Sequence, residues 1–486
     1  MHDRQMRSIP HTCLGVFNLL ACMALCGILA GCGEVVPAES DEINQSDDFT
    51  PGIPVLDVEA TPAWSGDTSG IDLYLRFHPS SLTFVRTGSS FSAMFELAAR
   101  IRDMKTRALV LDRVWWDTTV ATAYAFTQRE EPIVRTRRIA LLPGEYVLEV
   151  QIEDMNTGKM AMRRRAITVP DLIQRRPSLG EIRLQTRTSS GAYVPLVEFH
   201  FPLDADSLRA FLETYNVPTE NPGNVRVALV AFKYDTLAAL PPYLVDEIGA
   251  TLPMGHWSAN FELGDTLYKA VIPSIGDDRR RAATCSLPRL REGIYELSMR
   301  SEVAVPGEPG KDSIMEAHRV LSVKGIGFPK PSTLDDLVEE AVYIASRDDM
   351  RELLSAQSQE EKRRRFDSLW LSFTHDPKTA ASLLRKYYTR VEQANRFFTS
   401  TKEGWKTDRG MLYIVFGPPG QMDRNLDVQN WYYDLPGTSD DNKYSFKRVY
   451  SFGPGVSFEN YVLYRAYGYE SMWDRMVAKW RSGDVY

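Results

Sequence analysis

Beyond residue 32 the sequence holds one cysteine, Cys285. The other four, Cys13, Cys22, Cys26 and Cys32, cluster at the N-terminus. A body with one cysteine cannot staple itself internally, so its stability has to come from buried apolar area. Basic charge is also short: 57 Lys and Arg face 64 Asp and Glu, a net charge of −7. That balance argues against a nucleic-acid partner, which needs a concentrated basic face. The triplets Arg163-Arg164-Arg165, Arg279-Arg280-Arg281 and Arg363-Arg364-Arg365 sit among acidic or turn residues and read as solvated surface. Beyond residue 32 histidines are few and scattered: His78, His200, His256, His318 and His375 show no metal-ligand spacing. No G-x-S-x-G elbow or H-E-x-x-H helix occurs. Cys285 has no histidine near it in sequence and reads as a buried, inert thiol. No metal or diffusible cofactor is expected. After the N-terminal segment no apolar run reaches bilayer-spanning length.

What is present starts with a basic tip, Arg4 and Arg7, and an uncharged apolar run from Cys13 to Ala30. That pattern reads as an export signal. It ends in Leu29-Ala30-Gly31-Cys32, which resembles the lipobox of bacterial lipoproteins. The resemblance implies a signal peptide over residues 1–31, cleavage between Gly31 and Cys32, and lipid on the Cys32 thiol. Acyl chains there would anchor the protein to a membrane of the cell envelope. Gly33, rather than aspartate, follows the cysteine, which favours the outer over the inner membrane. A permanent N-terminal helix is the competing reading, and Gly15 and Gly27 weigh against it. Residues 32–54 carry Glu34, Glu39, Asp41, Glu42, Asp47 and Asp48 with few apolar residues, and are expected to form a disordered tether.

Residues 55–172 show period-two alternation. Ile71, Leu73, Leu75 and Phe77 share one face, as do Ala93, Phe95, Leu97, Ala99 and Ile101. Pro143-Gly144 then launches Tyr146, Leu148, Val150 and Ile152. The order returns over 173–326: Val225, Val227, Leu229 and Ala231 alternate, and Glu292-Gly293 precedes Tyr295, Leu297 and Met299. A tight turn feeding a tyrosine-led strand, used twice, resembles the corner of immunoglobulin-like sandwiches. The expectation is two tandem immunoglobulin-like β-sandwiches, with one larger β domain as the alternative. Leu203 to Tyr215 has helical spacing and reads as an insertion.

Residues 327–486 change period and are expected to form helices with a small β-sheet. Thr333–Ala345 reads as a helix, Ser346 caps a second, and Ser358-Gln359-Glu360-Glu361 has capping-box spacing. Asp376-Pro377 starts another, with Leu384, Tyr387, Tyr388, Val391, Ala394 and Phe398 on one face. Then come Gly404-Trp405-Lys406-Thr407-Asp408-Arg409-Gly410, an apolar run Leu412–Phe416 that reads as a strand, and Gly417-Pro418-Pro419-Gly420. With Tyr387–Asn395 before it and Trp431-Tyr432-Tyr433 after it, this series resembles the GWxTD domain of bacterial envelope and lipoprotein-like chains. The resemblance covers about Leu334 to Tyr469 and implies neither a reaction nor a ligand.

Two readings of that segment follow. In one, Thr407–Gly410 is a turn, and Asp408 bonds its backbone or pairs with Arg409 or Arg390. In the other, Trp405, Asp408, Arg409, Asp423, Arg424 and Trp431 line a cleft that holds a sugar or peptide. The function expected is a non-enzymatic envelope module that engages a protein or glycan partner through its C-terminal domain. The alternative is a hydrolase or transferase acting on envelope polymers, with Asp408 paired to Asp423 or Glu459.

Overall fold

In a computed structural model, the described residues are 56–485, apart from 66–67, 129–131, 173–176, 188–190, 198–199, 203–207, 218–222, 234–235, 245–261, 305–311, 425–427, 434–441 and 450–459. Gly31, Cys32, the tether, His256 and Glu459 lie outside them. The chain is mostly β, followed by a helical C-terminal region.

The first β unit has β1 (Leu56–Ser65), β2 (Thr68–Phe77), β3 (Val85–Thr87), β4 (Ser90–Asp103), β5 (Leu109–Ala121), β6 (Ile133–Ala140), β7 (Gly144–Asp154) and β8 (Lys159–Val169). One antiparallel sheet runs β1-β2-β6, and another runs β3-β4-β7-β8 with β5 also on β4. They share a core in which Leu73, Leu75 and Phe77 meet Phe95, Leu97, Leu148 and Val150. The Phe77 and Phe95 rings meet edge-on at 4.9 Å. The alternation of β2 correctly marks its inner face, but Asp72 and Tyr74 on the other face are buried as well. The second β unit explains this: Arg183 reaches Asp72 (3.4 Å) and the Tyr74 hydroxyl (2.8 Å).

The second unit has β9 (Ser178–Leu179), β10 (Arg183–Arg187), β11 (Tyr193–Pro195), β12 (His200–Pro202), β13 (Leu208–Tyr215), β14 (Asn224–Lys233), β15 (Glu262–Gly276), β16 (Arg280–Ser286), β17 (Gly293–Ala304) and β18 (Asp312–Lys324). The main hydrogen-bonded path is β11-β10-β13-β16-β15-β14-β17-β18-β12, with β9 also on β13, and the sheet curls around its own core. The helical reading of Leu203–Tyr215 is corrected over Leu208–Tyr215, since 203–207 lie outside the described residues. Residues 208–215 form β13, between β10 and β16, with Leu208, Ala210 and Leu212 directed into the core. The segment is short enough to satisfy both periods, and the ladder partners decide it.

A buried ion pair also joins the two β units. The Arg319 guanidinium clasps the Glu59 carboxylate and donates to the Ile182 carbonyl at 2.8 Å. The two units are therefore fastened to each other by charge as well as by chain connectivity.

The C-terminal region has α1 (Leu334–Glu340), α2 (Arg347–Leu354), α3 (Gln359–Thr374), α4 (Pro377–Phe398), α5 (Asp408–Phe416) and α6 (Glu470–Ser482). A four-stranded sheet joins them: β19 (Gln421–Arg424), β20 (Val428–Tyr432), β21 (Lys443–Val449) and β22 (Asn460–Leu463). Thr333, Ser346, Ser358 and Asp376 cap their helices through side-chain oxygens. At Ser358 the box is modified, because Glu361 accepts from the Gln357 amide instead. The buried face of α4 also takes in Leu383, while Leu384 packs half-buried against the same core.

The expected strand Leu412–Phe416 is helical. It belongs to α5, in which every residue from Arg409 to Phe416 is buried. A short segment that is apolar on all sides carries no period to read. Thr407 starts this helix as its N-cap, and Gly417, at φ 92°, ends it. Thr407–Gly410 is therefore a cap and first helical turn, not a free-standing turn.

Candidate functional site

The glycine–tryptophan–threonine–aspartate series is built on α4. Near its end, the Asn395 side chain accepts from the Trp405 amide (3.0 Å) and donates to the Pro329 carbonyl (2.9 Å). The Thr399 hydroxyl accepts from the Gly404 amide at 2.8 Å. Gly404–Lys406 then makes a single 3₁₀ turn. The Thr407 hydroxyl donates to the Gly404 carbonyl (2.7 Å) and accepts from the Gly410 amide (3.1 Å). One threonine thus satisfies a carbonyl of the turn and an orphan amide of the helix.

Trp405 is 4 % exposed, with its carbonyl bonded by the Tyr343 hydroxyl at 2.7 Å. Trp431, on β20, is fully buried among Phe398, Tyr433 and Phe446. Both rings are core residues, so neither forms the wall of an open cleft. Arg409 is also interior: its guanidinium lies 4.2 Å from the Tyr461 ring centroid and reaches Gln429 at 3.4 Å. Asp423 is half-buried on β19, and its Oδ1 accepts from Gln421 at 3.4 Å. Arg424 ends β19 opposite Gln429, and its side chain lies outside the described residues.

Asp408 is the member that reaches outward. Its Oδ2 accepts from the Leu463 amide at 2.9 Å, and its Oδ1 pairs closely with Arg465. The expected partners do other work, because Arg390 donates to the Ile414 carbonyl (3.1 Å) and Arg409 stacks inside. Arg465 goes on to donate to the carbonyls of Leu240 (2.6 Å) and Pro241 (2.7 Å). Those residues belong to the connection between β14 and β15. The same connection is held by Lys402 on the Leu237 carbonyl (2.8 Å), by the Ala239 amide on the Lys406 carbonyl (2.9 Å) and by the Ala466 amide on the Pro242 carbonyl (3.3 Å). Ala238, Ala239 and Tyr243 pack against the C-terminal core. The motif and its flank therefore hold a strap, Leu237–Tyr243, that ends in a turn at Pro242-Tyr243, chiefly by its main chain.

Beside the strap lies a charged joint that sequence reading missed. Lys324, fully buried at the end of β18, donates to the Thr401 carbonyl at 3.1 Å. Burial pulls its ammonium down to about 8, against the attraction of Glu403. Burial pushes Glu403 up, but Lys324 and Lys406 outweigh it and hold its carboxyl at about 2. Lys406 lies 3.1 Å from Glu403. Glu340 is a second missed group: it is 4 % exposed, and burial followed by Asp336 keeps its carboxyl well above the usual range. Although Lys406 of the joint lies within the Gly404–Gly410 series, neither Lys324 nor Glu340 stands in a motif. Only the docking of β18 and α1 encloses them.

Cys285 is buried with a free thiol, 3.5 Å from the Tyr268 hydroxyl. Among the described residues no His, Cys, Asp or Glu group is arranged to hold a metal ion, and no helix is long and apolar enough to cross a membrane.

Residues 310–482 match the GWxTD domain family. The match begins before Leu334, so it takes in β18 and its buried Lys324, and it runs through α6. A comparison with curated proteins finds no match.

Proposed function

We propose that this protein is a lipid-anchored component of the bacterial cell envelope whose body is a non-enzymatic binding and structural module. In this reading residues 1–31 are the export signal, Cys32 carries the lipid, and residues 32–54 are the tether, with the outer membrane favoured. The GWxTD domain is the working end and engages a protein or glycan partner. The single observation that carries the reading is the use made of Asp408. Both carboxylate oxygens are engaged, and through Arg465 the residue fixes the main chain of Leu240-Pro241. The alternative, a carboxylate hydrolase or transferase, has less support for the same reason: a nucleophile or general acid needs an oxygen facing substrate.

The binding face we assign lies beside the strap, where Tyr464 (51 %) and Tyr467 (75 %) are exposed on either side of Arg465. Exposed aromatics beside a fixed guanidinium suit protein or glycan contacts. We also read both β units as immunoglobulin-like. In support, the Tyr146 hydroxyl donates to the Leu142 carbonyl (2.8 Å) and the Tyr295 hydroxyl to the Arg291 carbonyl (2.7 Å). Each reaches four residues upstream, as in a tyrosine corner.

Two measurements test the proposal. Cys32→Ser should move the chain from the membrane fraction to the soluble fraction. A photo-crosslinking side chain at Tyr467 should capture one envelope component in intact cells, and Tyr464→Ala should weaken that capture. Absence of any adduct at 464 and 467 would count against the binding role. Turnover of a glycan or peptide, lost in a folded Asp408→Asn variant, would install the hydrolase reading instead.

A further inference from the structure

The first β unit leaves one sheet edge unlike the others. Strand β8 carries Arg163, Arg164 and Arg165, β6 carries Arg135, Arg137 and Arg138, and β1 contains Pro62. Arginines and proline are the means by which edges resist adding another strand. Strand β5 has no proline, lysine or glycine across Leu109–Ala121, and its charges, Asp112, Arg113 and Asp117, are of mixed sign rather than a run of arginines. Among the described residues its only ladder partner is β4. Its outward face presents Val110, Val114, Trp116 and Val120 at 47, 46, 64 and 62 % exposure. An apolar outer face beside a free ladder edge is a surface that lacks its partner.

We propose that this partner is β5 of a second copy, paired antiparallel about a two-fold axis at Trp115. The strand is nearly self-complementary about that residue. Trp115 is the midpoint of Leu109–Ala121, and β5 runs against β4 without a register shift from Leu111 to Ala121, so this register pairs Leu111 through Thr119 in an unbroken ladder. It sets Val114 opposite Trp116 of the second copy, whereas Val110, the extra residue where β5 shifts register against β4, lies outside this regular run. Arg113 then faces Asp117, and Asp112 faces Thr118. The other in-phase registers are poorer: moving the axis to Val114 places Asp112 opposite Trp116, and moving it to Trp116 places Asp112 opposite Val120. Arg113 is exposed, so its charge is available across the seam. Asp117 is drawn to Arg135 within its own chain at 2.5 Å, and the new pair would share that carboxylate. An isologous seam of this kind doubles every contact, as two-fold symmetry requires. Cross-strand apolar and opposite-charge pairs are the units that stabilise it.

The test uses the full chain in detergent micelles. Native mass spectrometry should give the mass of two chains. The double variant Val114→Lys and Trp116→Lys places ammonium groups opposite each other and should shift the species to one chain. Both positions are exposed, so the fold should survive, with an unchanged circular dichroism spectrum as the control. A second variant, Asp112→Cys with Thr118→Cys, should give a disulfide-linked dimer under mild oxidation. Within one strand these positions are about 20 Å apart, too far to bridge. A wild-type mass of one chain, a dimer that persists in the lysine variant, or the absence of a 112–118 crosslink would each overturn the proposal.

Discussion

Gly410 sits directly over the carbonyl of Gly404: a Cβ added to Gly410 would stand 1.8 Å from that oxygen. A Cβ on Gly404 would meet the Ala394 carbonyl oxygen at 1.9 Å. Three backbone layers, α4, the 3₁₀ turn and α5, are therefore stacked in contact. Both glycines of the motif are set by this close approach, and no positive φ is involved.

Gly404→Ala and Gly410→Ala should each destabilise the C-terminal region by about 3 kcal/mol or more, because the clash is with backbone that no rotamer change can relieve. Chemical denaturation followed by tryptophan fluorescence reports it through Trp405 and Trp431. A loss within 0.5 kcal/mol of zero, roughly the surface-substitution level, would mean the helices are not held at this distance.

Asp408→Asn keeps the shape of the side chain but removes its charge from Arg465. The expected cost is about 1–3 kcal/mol, the range for losing one partner of a charge-assisted bond. The loss should be local. Hydrogen exchange at the Ala239 and Leu463 amides should speed up, while amides within α4 stay protected. Unchanged protection at Ala239 would break the proposed link between Asp408 and the strap.

Tyr146→Phe and Tyr295→Phe remove only a hydroxyl from a buried ring. Each should cost about 1 kcal/mol in denaturant unfolding, the value of one net hydrogen bond with its carbonyl left short of a donor. Similar losses at both sites are expected from their matching geometry. A neutral outcome at one of them would show that its hydroxyl–carbonyl bond adds nothing to stability.

Glu403 sets a pH dependence. Its folded carboxyl is held at about 2 against an ordinary 4.5. The unfolded chain therefore binds more protons between those values. Stability from this group is full above about 4.5 and is lost as pH falls toward about 2. Glu403→Gln should cost on the order of 2 kcal/mol at neutral pH and flatten the acid limb of the stability curve. Glu292 shifts the opposite way, raised by burial and by Glu403, so its carboxyl should drop toward its ordinary value in the same variant. An acid limb as steep as wild type would show that Lys324 and Lys406 do not hold Glu403.

Much of the architecture was legible where a local signal was strong. Thr333, Ser346, Ser358 and Asp376 marked helix starts because capping is a contact among residues within three positions. The inward faces of β2, β4, β7 and β14 followed from period-two alternation, and Tyr146 and Tyr295 were singled out by the turns before them. The GWxTD series itself could be read as a name from residue identity alone.

Tertiary contacts decided the rest. Leu412–Phe416 became a helix because it is enclosed on all sides, and a segment without a polar face shows no period. Residues 208–215 became a strand because β10 and β16 lie on either side of them. The candidate site divided for the same reason. Trp405, Arg409 and Trp431 went into the core, whereas Asp408 met Arg465 and, through it, a strap more than 160 residues earlier in the chain. Sequence order sets caps, turns and alternation, which act over a few residues. Which side chain is enclosed, and which carboxylate meets which cation, depends on surfaces that come together only when the units dock.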